Sequence, residues 1–299
     1  MSKARIAFHD SSGKVLTLPG GRRLGYIELG PARGAPVFYF HGFPASRLEA
    51  RLVEAATLRR DVHLIAPDRP GYGLSGFLPG RRISDWPVDV TALADALELG
   101  RFSVLGVSGG APYAVACAAL LPDRVSGAGI VGGLGRLDRE EDRAQFNAFA
   151  RFSYALARRA PALSRLTNRA LALLLRDSPR LMLKLLASKL PPPDREVLAD
   201  PSVFAAIADS LHEAFRQGGR GAALDLILYA RPWDIAPESI RVPFHVWHAE
   251  PDTTVPVAMG KRLAAAIPGC RARYYADEGH FSLPVRRMDE ILADLVGQG

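Results

Sequence analysis

Cysteine is nearly missing from this chain. Its 299 residues include only Cys117 and Cys270, too few for a disulfide framework. Cys117 sits in an apolar helical stretch and reads as a buried thiol. Long apolar runs are missing too. None approaches the roughly 20 residues a helix needs to span a bilayer, so no stable membrane insertion is expected. The opening MSKARIAFHDSSGK is basic but lacks the apolar core of a signal peptide, and a reduced, cytoplasmic setting is expected. No H-E-x-x-H and no paired Cys/His spacing occurs, so neither metal nor cofactor is expected. The net charge is +7, mostly from arginine, but no aromatic–basic platform or nucleic-acid reading motif goes with it. The arginines in RLVEAATLRR, ARFSYALARR and NRALALLLRD alternate with apolar residues, like the solvated faces of amphipathic helices. No nucleic-acid partner is expected. No internal repeat occurs, and nothing sets an oligomeric state.

What is present is a globular composition, 48% hydrophobic and 23% charged, in a chain long enough for a sizeable core. KVLTL, RRLGYIEL, PVFYF, VHLIAP, FSVLGV, VSGAGIV, VPFHVWH and RARYYA read as strands. Most are continuous apolar runs, as in strands buried on both faces. Helices are predicted between them: one from Ser84 or Asp85 as N-cap to a stop at Gly100, and others at 109–121, 258–267 and 287–297. Alternating strands and helices imply βαβ units on a mostly parallel sheet. LPGGRR joins the first two strands as a hairpin, so the sheet begins antiparallel. The alternation breaks between Leu134 and Ile235, where nothing resembles a strand and PPPD separates helical segments. This stretch reads as a helical insertion, or as extra helices packed on the sheet. The division expected is an α/β core over 1–133 and 236–299, with a helical cap over 134–235.

Gly106-Val107-Ser108-Gly109-Gly110 matches G-x-S-x-G between a predicted strand and a predicted helix. A strand that becomes a helix within about one residue puts its central residue in a strained conformation. It also crowds the positions two before and two after, where glycine fits. Gly106 and Gly110 hold those positions. The turn lifts the Ser108 hydroxyl clear of the sheet. FYFHGFPASR places His41-Gly42-Phe43-Pro44 at another strand end. From there the Phe43 backbone N–H can join that of Gly109 as an oxyanion hole, with His41 holding the loop. APDRPGYGLS reads as a structural turn beside the site. HVWHAEPDTTVP sets Asp252 just after a strand, and DEGHFSLP sets His280 after the last one. Serine needs an imidazole to take its proton, and the imidazole needs a carboxylate to fix its tautomer. Ser108, Asp252 and His280 can fill these roles.

HGFP, DRPGYGLS, GVSGG, EPDTTVP and EGHFS, in that order, resemble the signatures of the α/β-hydrolase-fold superfamily, in its serine hydrolase branch with a helical cap. The resemblance implies Ser108 as nucleophile, His280 as base, Asp252 as acid, and Phe43 and Gly109 as oxyanion donors. Relatives often read W-H-G-E-x-D where this chain has Ala249. Serine at 108 argues against the dehalogenase and epoxide-hydrolase branches, which use aspartate there. The remaining histidines read as structural: His63 in the core, His245 and His248 in the strand before Asp252. Tyr113, Trp86 and Trp233 read as core. The function expected is hydrolysis of an ester or related acyl bond of a small, largely apolar substrate through an acyl-enzyme. The same triad serves C–C bond hydrolysis, amide hydrolysis or cofactor-free perhydrolysis. A non-catalytic ligand-binding receptor on this fold is the reading from another class.

Overall fold

The computed structural model describes residues 5–9 and 13–297. Nine strands form one sheet: β1 Arg5–His9, β2 Gly13–Thr17, β3 Arg23–Leu29, β4 Ala35–Phe40, β5 Val62–Pro67, β6 Phe102–Val107, β7 Val125–Val131, β8 Phe244–Ala249 and β9 Arg271–Tyr275. Their spatial order is β1-β2-β3-β5-β4-β6-β7-β8-β9. β1, β2, β3 and β5 pair antiparallel in turn, and every pair from β5–β4 to β8–β9 is parallel. β1 has no counterpart among the predicted strands. Arg5–His9 is five residues long, carries charge at its first position, and lies at the sheet edge.

The period-2 geometry of strands explains the two-sided core. Phe38 and Phe40 of β4, with Phe102 and Val104 of β6, join the cluster beneath helices Trp86–Ala96 and Ala111–Leu120. Val37 and Tyr39, with Leu105 and Val107, join the opposite cluster with Ile291 and Leu292 of helix Met288–Leu295. β5 and β6 are buried along their whole lengths, which is why their sequences run apolar rather than alternating. Helix Ala111–Leu120, APYAVACAAL, is buried nearly all round and carries no charge, as such a position requires.

β4 lies between β5 and β6, so the chain reverses its direction of winding there. Ligands of open α/β sheets bind outside the carboxyl ends of the strands at such a reversal. Ser108 follows β6, and His41 to Phe43 follow β4.

Local boundaries differ from the predicted ones in three places. The helix after Arg82 opens one turn early with a 3₁₀ turn, Ile83–Asp85; Asp85 is the N-cap of helix Trp86–Ala96, as expected, but its side chain makes no cap bond there and accepts the Arg82 N–H instead. It ends near Ala96, because Glu98 takes a positive φ of 56° before Gly100 is reached. PPPD starts a helix instead of separating two: Pro191 is its N-cap, and Pro192 and Pro193 fill the first turn of Pro192–Ala199, where missing N–H groups leave no bond unmade.

Between β7 and β8 the chain forms seven helices and no strand: Glu140–Ala144, Ala148–Arg159, Pro161–Asp177, Pro179–Ala187, Pro192–Ala199, Pro201–Ala214 and Arg220–Tyr229. Among the described residues no helix is long and apolar enough to cross a membrane.

Candidate active site

Ser108 follows β6 without a loop and has φ of 51°, a left-handed conformation that costs a non-glycine residue about 1–2 kcal/mol. The neighbouring glycines make room for the turn. A Cβ on Gly106 would sit 2.6 Å from Gly110 O, and one on Gly110 would sit 2.1 Å from Phe40 O. The Leu134 N–H donates to Ser108 O at 3.0 Å and ties the turn to the chain beyond β7.

His280 Nε2 lies 3.0 Å from Ser108 Oγ, and its Nδ1 lies 2.7 Å from Asp252 Oδ2. An ionised carboxylate only accepts hydrogen bonds. Nδ1 therefore carries the proton, and the Nε2 lone pair faces the serine hydroxyl. Asp252 is itself held: its Oδ1 accepts the N–H groups of Thr254 and Val255, each at 2.8 Å. Glu250, two residues earlier, is exposed to solvent. Gly132, at φ 53°, passes beside the pair, where a Cβ would sit 3.3 Å from His280 Nδ1 and 3.5 Å from Asp252 Oδ2.

The electrostatics agree with this geometry. Burial works against the Asp252 carboxylate, but His280 and His248 outweigh it and hold its pKa well below the usual carboxylate range. Burial also works against the His280 imidazolium, but the attraction and hydrogen bond of Asp252 raise its pKa above 6.5. His248 Nε2 donates to Val255 O at 2.9 Å and lies 3.5 Å from Asp252 Oδ2, backing the carboxylate from the other side.

The predicted oxyanion donors come together. A Cβ on Gly109 would lie 2.5 Å from Phe43 Cβ and 3.2 Å from Phe43 N, so the two backbone segments are in contact. The Phe43 N–H makes no hydrogen bond among the described residues. His41 holds this loop: its Nδ1 donates to Gly42 O at 2.9 Å, and its Nε2 accepts the Arg69 N–H at 3.2 Å.

Three acids that the sequence does not single out support the site. Glu49 accepts the Gly42 N–H at 2.9 Å and the Tyr39 hydroxyl at 2.8 Å. Asp194, from the helical stretch, accepts the N–H groups of His280, Phe281 and Ser282 at 3.0, 2.8 and 2.9 Å. Asp225 is fully buried and accepts from Arg69 at 2.8 Å, Tyr72 at 2.9 Å, Tyr113 at 2.6 Å and Arg81. Burial opposes its charge, but Arg69 and Arg81 hold its pKa well below the usual carboxylate range. Arg69 in turn donates to the carbonyls of His41 and Gly42. Tyr229 Oη lies 2.8 Å from Gly109 O and 3.1 Å from Asp225 Oδ2. APDRPGYGLS is thus more than a tight turn, because its Arg69 and Tyr72 anchor the loop that carries Phe43. Tyr113 is buried as expected and also takes part in this network.

The other candidates lie apart. His63 pairs with Glu28 at 2.7 Å, and His245 stacks on Trp247. Burial raises the Cys117 thiol and pushes Cys270 up to about 11. Among the described residues no cluster of three or more His, Cys, Asp and Glu could hold a metal ion.

A family model described as alpha/beta hydrolase fold matches residues 35–286. The chain is 30% identical over 149 residues to the non-heme chloroperoxidase of Streptomyces lividans, covering 48% of this chain and 54% of that protein. It spans about half the length, or less, of the curated relatives it matches. Among solved structures it is similar to a hydrolase from Pseudomonas aeruginosa PA01, with TM-score 0.71 and 19% identity, covering 97% of this chain and 100% of that one. It is also similar to a thermophilic esterase from Thermogutta terrifontis, with TM-score 0.67 and 20% identity, covering 98% and 96%. At these identities the likeness is one of fold.

Proposed function

The chain belongs to the alpha/beta hydrolase fold family, and on that premise we propose that it is a serine hydrolase cleaving an ester or related acyl bond. The observation that carries this reading is the relay from Ser108 Oγ through His280 to Asp252, at 3.0 and 2.7 Å. His280 Nε2 takes the hydroxyl proton as Ser108 Oγ attacks the acyl carbon. Asp252 stabilises the imidazolium that results. The Phe43 and Gly109 N–H groups receive the oxyanion. The tetrahedral intermediate then collapses, and the leaving alcohol takes the proton from His280. Water attacks the acyl-enzyme with His280 again as base, and His280 returns that proton to Ser108 Oγ as the carboxylic acid departs. Residues 134–235 act as a cap over the strand ends, tied to the core by Asp194 and Asp225.

Turnover of aryl esters of graded acyl length, by wild type and by Ser108→Ala, tests the reading. The wild type is expected to hydrolyse at least one ester, and the variant to lose several orders of magnitude. No turnover of any ester or amide by the wild type would favour a ligand-binding receptor. The chloroperoxidase relative supports a second reading, in which hydrogen peroxide replaces water at the acyl-enzyme. Peracid formed from an acid and peroxide, and absent in Ser108→Ala, is its signature.

A further inference from the structure

The positive charge of this protein is not spread evenly. Residues 148–189 hold nine Lys or Arg and one acid, Asp177, a net +8 against +7 for the whole chain. The rest of the chain is therefore close to neutral. Arg151, Arg158, Arg165, Arg169, Arg180 and Lys184 are all exposed, and none has an ion-pair partner among the described residues.

The same stretch exposes apolar side chains. Ten of the thirteen exposed large hydrophobics among the described residues lie between Phe149 and Leu186. Phe149 is 69% exposed, and Phe152 and Leu166 are each 65% exposed. These side chains are turned outward. The inward faces of the three helices Ala148–Arg159, Pro161–Asp177 and Pro179–Ala187 are made by other residues, including Tyr154, Ala157, Ala172 and Leu183. The outward residues recur at helical spacing. Phe149 and Phe152 are three apart, as are Leu163 and Leu166, and Leu181 and Leu185 are four apart. Arg165 and Arg169, and Arg180 and Lys184, form neighbouring stripes four apart. Consecutive helices of the three pack on one another.

Exposed apolar patches of this kind mark interaction surfaces. Phe and Leu on one stripe with Arg and Lys beside it, at low net hydrophobicity, is the composition of helices that lie in a membrane interface. A second copy of the chain would set eight net positive charges against eight. Nucleic acid offers no acyl phase for Phe and Leu. A bilayer with anionic headgroups takes both parts: the apolar side chains enter the acyl boundary while the long cationic side chains reach the phosphates.

We propose that the outer helices of the insertion, residues 148–187, dock the protein reversibly on the surface of an anionic bilayer. This is surface attachment, not insertion of a spanning helix, and it holds whether or not Ser108 is a nucleophile. The inner helices remain fixed to the core through Asp194, Glu213 and Asp225.

Co-sedimentation of the full chain with vesicles of phosphatidylcholine, with and without phosphatidylglycerol, tests the proposal. Binding is expected only with phosphatidylglycerol, and should weaken as salt is added. Arg165→Gln with Arg169→Gln should lower partitioning about 25-fold, at about five-fold per charge. Phe149→Ser with Phe152→Ser should also weaken it, and neither pair should change the circular dichroism of the unbound protein. Absence of binding at low salt, equal binding to neutral vesicles, or undiminished binding by both pairs would overturn the proposal. So would a lipid-free dimer, seen by light scattering, that Phe149→Ser disperses, since the face would then be covered by a second copy.

Discussion

Asp194 accepts the backbone N–H of His280 at 3.0 Å from 86 residues away in sequence. The same carboxylate takes the N–H groups of Phe281 and Ser282, and a Cβ on Gly279 would meet it at 2.4 Å. One acid of the insertion thus sets the backbone from which the imidazole projects. Asp194→Ala leaves three donors without a partner, the N–H groups of buried His280 and Ser282 and of half-buried Phe281, and should destabilise the fold by about 3 kcal/mol, read by urea unfolding. On a soluble ester kcat should fall about tenfold or more with KM nearly unchanged, since tenfold corresponds to about 1.4 kcal/mol in the barrier. An unchanged kcat would mean that His280 is positioned without Asp194.

Asp225 is the only carboxylate bonded to both Arg69 and Arg81 among the described residues. Asp225→Ala would leave two buried guanidinium groups uncompensated and should cost about 3–5 kcal/mol. Tyr72→Phe removes one hydroxyl from the same network and should cost about 1 kcal/mol. Comparable unfolding midpoints for the two variants would show that the network is not organised around Asp225.

The raised pKa of His280 fixes the direction of a pH profile. With the neutral imidazole as the proposed base, kcat/KM should rise with pH and reach half its plateau above 6.5. Asp252→Asn removes the largest of the charges that raise the pKa and leaves the burial that lowers it, with Asp194 and Glu49 still in place, so the midpoint of its residual activity should fall below that of the wild type. The same shift contributes stability that is complete below about 6.5 and lost as the pH rises through the folded-state value. A wild-type midpoint below 6.5 would show that burial dominates.

Asp252 and Glu250 can be compared directly. Asp252 touches His280 and is locked by two backbone N–H groups, whereas Glu250 points to solvent. Turnover by Asp252→Asn should fall on the order of 10⁴-fold, because the amide favours the wrong tautomer. Glu250→Gln should stay within a few-fold of wild type. The reverse ranking would move the acid role to Glu250.

The sheet was legible because its central strands are uninterrupted apolar runs and its turns use Gly and Pro where the geometry requires them. Ser108 stood out for the same reason: glycines at 106 and 110 leave space that the backbone fills. Asp194, Asp225 and Glu49 left no such trace. Each is an ordinary acid in an ordinary helical or turn sequence; the partners of Asp194 and most of those of Asp225 lie far away in the chain, and no motif marks the bonds of Glu49 to Gly42 and Tyr39. The outward leucines of 163–186 were hidden differently. A period of 3.6 marks an apolar stripe but does not say whether protein covers it.

Ser108 is expected to form a covalent acyl-enzyme. The experiment that decides this is mass spectrometry of the intact protein and its peptides after treatment with an organophosphorus acyl mimic. The expected result is one adduct per chain, on Ser108, abolished in Ser108→Ala and strongly slowed in His280→Ala. An adduct on another residue, or none in a protein that hydrolyses esters, would contradict it.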